Sequence, residues 1–224
     1  MALTLYLHPL ASFCHKVLIA LHEAGTPFEA KIVDLMDPQE HARYLEVWPA
    51  GKIPVLHDAA ANRTVPEASI IIEYLDRLHP GKEALIPRDE EQALEARLWD
   101  RFFDLYIHAP MQKIVTDTLR PEGENDSRGV AEARTALHTA YDMADRHLAG
   151  KIFAVGERFS IADCAAAPAL FYAGIVEPFD ATHPSLSTYF ERLFRRPSFE
   201  RVLAEARPYF HMFPYREAIP PRFL

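Results

Sequence analysis

Three short segments in the first third of the chain hold residues whose types and spacing suit chemistry. In Ser12-Phe13-Cys14-His15-Lys16-Val17 a hydroxyl and a thiol lie two residues apart, where a strand hands over to a helix. Helix N-termini present unpaired N–H groups and about half a positive charge. An anion such as a thiolate is stabilised there, and Ser12 can donate a hydrogen bond to it. A thiol in the first turn is itself shifted toward ionisation, so Cys14 is a catalytic candidate beside Ser12. In Pro49-Ala50-Gly51-Lys52-Ile53-Pro54-Val55-Leu56 a proline opens a strand after a Gly turn. Such a bond is often cis and bares the backbone of the residue before it. An extended peptide could add along Ile53 as along a free sheet edge, with Lys52 beside it for a carboxylate. In Val65-Pro66-Glu67-Ala68-Ser69-Ile70 an acidic residue precedes a helical run. Glu67 suits an ammonium and the first helical N–H groups suit a carboxylate, which together match the α-amino-acid end of a γ-glutamyl peptide. Each segment also has an ordinary reading: a helix cap, an edge-strand proline, an acidic first turn.

For these residues to converge, strands and helices must alternate around them. Leu3–Leu7 is β-prone. Ser12 reads as the cap of a helix to about Ala24, with Val17, Leu18 and Leu21 on one face; Gly25 and Thr26-Pro27 stop it. Phe28–Val33 reads as a strand, and Pro38 suits the first turn of a helix through about Glu46. Ile53–Leu56 and Arg63–Val65 read as paired strands, and Ile70, Ile71, Tyr74, Leu75 and Leu78 mark a helix from Glu67 to Leu78. The order β-α-β-α-β-β-α over residues 1–80 predicts a small mixed sheet with helices around it. Residues 81–90, between Pro80 and the polar run after Pro87, read as a linker. From 91 to 224 the period is helical. Leu94, Leu98, Phe102 and Leu105 form one stripe, and Val130, Ala133, Leu137, Ala140, Tyr141, Ala144 and Leu148 a second. A third helix starts at Ser160 and ends near Gly174, with Ser160 and Asp163 capping reciprocally. Leu186, Tyr189, Phe190 and Leu193 mark a fourth helix, and Phe199, Val202, Leu203 and Ala206 a fifth. The aromatic tail from Pro208 reads as irregular, packed on the helices or covering part of a pocket.

The 224 residues carry 24 Lys+Arg against 32 Asp+Glu, a net charge of −8, with 49% hydrophobic residues. The acidic balance lacks the basic footprint of a nucleic-acid binder. No run approaches the ~20 apolar residues of a membrane span, and the N-terminal segment has neither basic flank nor signal core, which points to the cytoplasm. Cys14 and Cys164 make no disulfide framework, and Cys164 reads as packing in an Ala-rich helix. Glycine-rich nucleotide motifs are absent. The eleven His show no metal-ligand spacing; His8, His15 and His22 read as surface or packing residues.

In this order, the segments at Ser12, Gly51-Lys52-Ile53-Pro54-Val55-Leu56, Glu67-Ala68-Ser69-Ile70-Ile71-Ile72 and Phe159-Ser160-Ile161-Ala162-Asp163 resemble the cytosolic glutathione S-transferase family over essentially the full length. The resemblance implies an α/β thioredoxin-like N-terminal domain and an all-α C-terminal domain that forms the co-substrate pocket. It implies glutathione as co-substrate, without a metal, and a small, largely apolar electrophile as its partner in conjugation. Ser12 takes the position of the activating serine of serine-type, bacterial-like members. Ile53, with Pro54, would meet the cysteinyl part of glutathione. Glu67 and the backbone of Ala68 would hold the γ-glutamyl end, and Lys52 or His41 the glycyl carboxylate. Leu10, Tyr106 and Met111 are the expected electrophile contacts, and a two-fold homodimer is the expected assembly. A thiol–disulfide or peroxide reductase using Cys14, and a non-catalytic binding module, are the alternatives. The chain departs from the family in having Ala68 where Ser is frequent and Trp48 where Asn is frequent. It also lacks the Ser-Ser-Cys-Ser start of the zeta members.

Overall fold

The computed structural model describes residues 2–224; Met1, the first residue of the expected N-terminal domain, lies outside them. Leu3, Leu5 and Leu7 are buried while Thr4 and Tyr6 are partly exposed, the alternation that fixes β1 (Leu3–Leu7) in a sheet. Helix α1 (Ser12–Ala24) carries the chain back so that β2 (Glu29–Ile32) lies parallel to β1. After α2 (Pro38–Leu45), β3 (Val55–Asp58) and β4 (Arg63–Pro66) add antiparallel on the other side, giving the order β2-β1-β3-β4. Helix α3 (Ala68–Leu78) closes this thioredoxin-like unit.

Two helix starts differ from expectation. Ala11, not Ser12, is the N-cap of α1, with extended φ −80° and ψ 119°. Ser12 is the first helical residue, so its hydroxyl has no capping duty. At α3 the helix begins at Ala68, and Glu67 before it is held at φ 69°. A non-Gly residue in that region costs about 1–3 kcal/mol and persists only where its surroundings fix it.

The rest of the described chain is helical: α4 (Glu90–Phe102), α5 (Ala109–Asp117), α6 (Ser127–Leu148), α7 (Ile161–Val176), α8 (Pro184–Phe194) and α9 (Pro197–Ala206), followed by short 3-10 turns. A π-helical turn over Phe103–His108 joins α4 to α5, with right-handed helical dihedrals at both junctions. Pro110 explains it: its ring lacks an N–H and crowds the carbonyl four residues back, and a wider turn relieves that clash. Of the stripe Leu94, Leu98, Phe102 and Leu105, only Phe102 is buried. Leu94, Leu98 and Leu105 are more than half exposed, and the buried face is Ala93, Ala96, Asp100 and Phe102. Small alanines let α4 approach the Ala-rich α7 closely, and the leucines at helical spacing are turned outward. Helix α7 is buried along nearly its whole length. At its start the Asp163 carboxylate accepts from the N–H groups of Ala154 and Ser160 and from the hydroxyls of Ser160 and Tyr189, at 2.6–2.9 Å. The tail is packed, not open: Phe210, Phe213 and Phe223 are buried, with Phe210 and Phe223 against Phe171 and Phe213 against Tyr172.

One apolar core runs through both units. Polar bonds pin the same boundary. Arg196 forks onto Glu23 at 2.6–2.9 Å, and Tyr172 donates to the Leu10 carbonyl at 2.7 Å. His15 is fully buried on α1 with Nε2 against the Pro9 carbonyl. Burial holds its imidazole down to about 4, against the opposing effect of that hydrogen bond. Its folded value lies below the ~6.5 of an unfolded chain. As pH falls below ~6.5 the unfolded chain takes up the proton first, and stability is lost until pH 4 is passed. Replacement by His15→Gln is expected to flatten the difference in urea unfolding free energy between pH 7 and pH 5 by about 2 kcal/mol. An unchanged difference would show that His15 is not held neutral.

Candidate active site

A cleft of about 510 Å³ opens where the sheet unit meets the helices. Its floor on one side is the turn into β3. Gly51 there has φ 64°, and a Cβ would meet His41 Nε2 at 3.0 Å, so any other residue would be strained. The Tyr44 hydroxyl donates to the Lys52 carbonyl at 2.6 Å and fixes the strand approach. The Ile53–Pro54 bond is cis, and Ile53 lies outside the strand ladder that begins at Val55. Lys52, Ile53, Pro54, Glu67 and Ala68 all line the cleft, as do Phe13 and Trp48. The strained Glu67 thus stands at the cleft wall with the N-terminus of α3 behind it.

The opposite wall comes from α4, the π-helical turn and α5, through Asp100, Asp104, Leu105, His108, Ala109 and Gln112. The π-helical turn decides which residues face in. Of the three expected electrophile contacts, Met111 is buried in the core and Tyr106 is exposed and stacked on Phe102 at 5.4 Å. Leu10 spends its carbonyl on Tyr172, and none of the three lines the cleft. The apolar contacts offered there are Phe13, Trp48, Leu105 and Ala109 instead. The winding of the turn had no signal in the sequence beyond Pro110.

Ser12 does not itself line the cleft, and it meets this wall through His108. Its Oγ is hydrogen-bonded to Nε2 of His108, whose ring packs on Phe13 with centroids 4.2 Å apart. One turn along α1, Lys16 is fully buried. Its Nζ lies 2.6 Å from Asp100, 2.7 Å from Asp104 and 2.9 Å from the Ser69 hydroxyl. Ser69 donates on to Asp100 at 2.7 Å, and Arg101 also contacts both carboxylates. Burial pulls the Lys16 ammonium down to about 8, with Asp100 opposing that fall. Burial, helped by the charge on Lys16, holds His108 down to about 4. Cys14 faces the other way: it is fully buried in the core, lines no part of the cleft, and burial pushes its thiol up to about 12. Sequence reasoning missed Lys16, Asp100, Asp104 and His108. The i, i+4 spacing of the last three was visible, but nothing tied that row to α1.

A thioredoxin-like unit joined to a helical unit, with a cleft between them against a cis-proline strand start, defines the class of protein. Models of the N-terminal and C-terminal domains of glutathione S-transferase match residues 11–78 and 102–197, together well over half of the chain. The chain therefore belongs to the glutathione S-transferase family. It is 30% identical to a glutathione S-transferase-like protein, LUC7, of a Fusarium species over 66% of this chain and 64% of that one; it thus spans under two thirds of that relative's length. A crystal structure of a glutathione S-transferase from Methylobacillus flagellatus with glutathione bound superposes with a TM-score of 0.82 at 25% identity, covering 89% of this chain and 98% of that one. One from Methylobacterium radiotolerans, in complex with glutathione sulfonate, gives 0.78 at 29% identity, covering 89% and 93%.

Removing the cation from the buried cluster leaves two desolvated carboxylates facing each other. Lys16→Met is expected to lower the unfolding free energy by about 3–5 kcal/mol, measured by urea titration at pH 7. A loss below ~1 kcal/mol would show that Arg101 alone neutralises the pair.

Proposed function

We propose that the protein is a glutathione transferase: it binds glutathione along Ile53, holds its sulfur as a thiolate at Ser12, and passes that sulfur to a small, largely apolar electrophile. The observation that supports the reading is a single cleft lined by the Lys52–Pro54 strand start, the Glu67–Ala68 helix start and His108, the residue to which the Ser12 hydroxyl is bonded. The glutathione and glutathione sulfonate held by the two superposed bacterial proteins support the choice of tripeptide. Glu67 takes the γ-glutamyl ammonium and the Ala68 N–H its carboxylate, with Lys52 toward the glycyl carboxylate. The thiol proton leaves to solvent. The sulfur electron pair then forms the new C–S bond as the electrophile's leaving group departs with its bonding pair. Ser12 and the N-terminus of α1 stabilise the anion, and the cleft supplies proximity. Phe13, Trp48, Leu105 and Ala109 favour an apolar or aromatic electrophile, with Gln112 as the polar contact at that wall.

Cys14 does not suit the reductase reading, since a core thiol held near 12 presents neither thiolate nor access to a disulfide. Ser12→Ala is expected to lower turnover with an aromatic halide about 10²-fold while the glutathione KM moves less than threefold; Cys14→Ala is expected to keep turnover. Unchanged turnover in the serine variant, or a mixed disulfide of Cys14 with oxidised glutathione in the mass spectrum, would overturn the assignment.

We also infer a homodimer. Leu94 and Leu98 on α4, Ile70 on α3 and Tyr106 on the π-helical turn are all more than half exposed, apolar surface that a second copy would cover. Sedimentation at micromolar protein is expected to give twice the 25.5 kDa of the chain; a monomer would exclude this face as a self-contact.

A further inference from the structure

His108 has no place in the chemistry described so far, yet among the described residues it is the one side chain bonded to the Ser12 hydroxyl. Its ring is 5% exposed, is wedged against Phe13, and its Nδ1 is buried with no partner among the described residues. Ser12 is the first residue of α1, where Ala11 is the cap, so the hydroxyl is not consumed by the helix. The charged group that acts on the ring is Lys16 on α1, which is itself paired with Asp100 on α4 and Asp104 on the π-helical turn. All three are locked in mutual ion pairs.

A neutral imidazole carries one N–H and one lone pair, and the two tautomers leave Ser12 in opposite states. With the proton on Nε2, the ring donates to Ser12 Oγ. The Ser12 O–H is then free to donate toward the cleft, and only a lone pair is stranded at Nδ1. With the proton on Nδ1, the Ser12 O–H is spent on Nε2. The hydroxyl then shows the cleft only lone pairs, which a thiolate avoids, and a buried N–H is stranded. An orphaned buried N–H is the rarer and costlier defect, so the partner inventory selects the first tautomer. Donation into Ser12 Oγ also polarises its O–H, since hydrogen bonds in a chain strengthen one another.

We propose that His108 is a positioning residue: as a neutral imidazole it donates Nε2–H to Ser12 and thereby turns the serine hydroxyl into a donor aimed at the sulfur of bound glutathione. This rests on the Ser12 reading above. His108 does not act as the base for the thiol. Burial and Lys16 hold its imidazole down to about 4, more than four units below the ~8.5 of an ordinary thiol, and a proton passed to it would return at once.

The test uses the whole chain with glutathione and compares wild type, Ser12→Ala, His108→Phe and His108→Gln. Thiolate absorbance titrated against pH gives the pKa of the bound sulfur, alongside pH profiles of kcat and kcat/KM. His108→Phe is expected to raise the bound-sulfur pKa by about one unit and to cut kcat/KM about tenfold on the acid side. The two profiles should converge well above that pKa, and glutathione KM should stay within threefold. His108→Gln, whose amide N–H reaches about the same place, should restore most of the shift. A loss of activity in His108→Phe at every pH with an unmoved sulfur pKa would make His108 merely structural and overturn the proposal. A glutamine variant that shifts as far as phenylalanine would overturn it too. Should His108→Phe not fold, 15N chemical shifts of the wild-type ring decide: a proton on Nδ1 overturns the assignment. If wild type forms no bound thiolate, or Ser12→Ala does not abolish it, the Ser12 reading falls as well. If Ser12→Ala abolishes it and His108→Phe leaves it intact, only the role of His108 falls.

Discussion

The buried ion cluster around Lys16 is the constraint on which the rest of the molecule turns. An ammonium taken wholly out of water is tolerated only with opposite charge and hydrogen bonds around it. Here they come from three elements at once: α1 supplies Lys16, α3 supplies Ser69, and α4 with its π-helical extension supplies Asp100 and Asp104. The sheet unit and the helical unit therefore cannot slide or rotate independently without stranding a charge. Hydrophobic burial joins the two units, but it is non-directional. The ion cluster fixes their register.

That register is what assembles the site. Ser12 and Lys16 are four residues apart, as are Asp100, Asp104 and His108 in succession, so each set forms one row along its helix. The rows run against each other. Lys16 meets Asp104 and Asp100, which leaves Ser12 facing His108. The strong pairs place the weak one. The catalytic hydroxyl we assign thus owes its surroundings to charges that take no part in the proposed reaction.

Much of this fold could be read from residue order, because the signals were local. The alternation of Leu3, Leu5 and Leu7, the stop at Gly25, the hairpin into β4 and the buried stripe on α6 all reflect neighbours within a few residues. The strand and helix starts that line one wall of the cleft were legible for the same reason. What escaped depended on distant partners. A leucine stripe on α4 looks the same whether it faces a core or solvent, and the choice was made by the alanines of α7 and by Asp100. The thiol of Cys14 sits in a helical first turn, where the local field favours ionisation. Full burial overrides that field and pushes it the other way. Met111 and Tyr106 were displaced from the cleft by a widened turn that follows from one proline.

The charge balance of the cluster also bears on how an anion is recognised beside it. Lys16 and Arg101 carry two positive charges, Asp100 and Asp104 two negative ones, and His108 is held neutral. A wall of zero net charge neither attracts every passing anion nor repels a thiolate. Discrimination then falls to groups with direction: the first N–H groups of α1 and a hydroxyl that is a donor only in one orientation. Such dipoles act best where water is excluded and where they need not reorganise when charge appears. Rigid ion pairs behind them supply that condition. A glutathione thiolate placed there would be selected by where its lone pair points, and the fixed dipoles would favour it most once the sulfur has lost its proton.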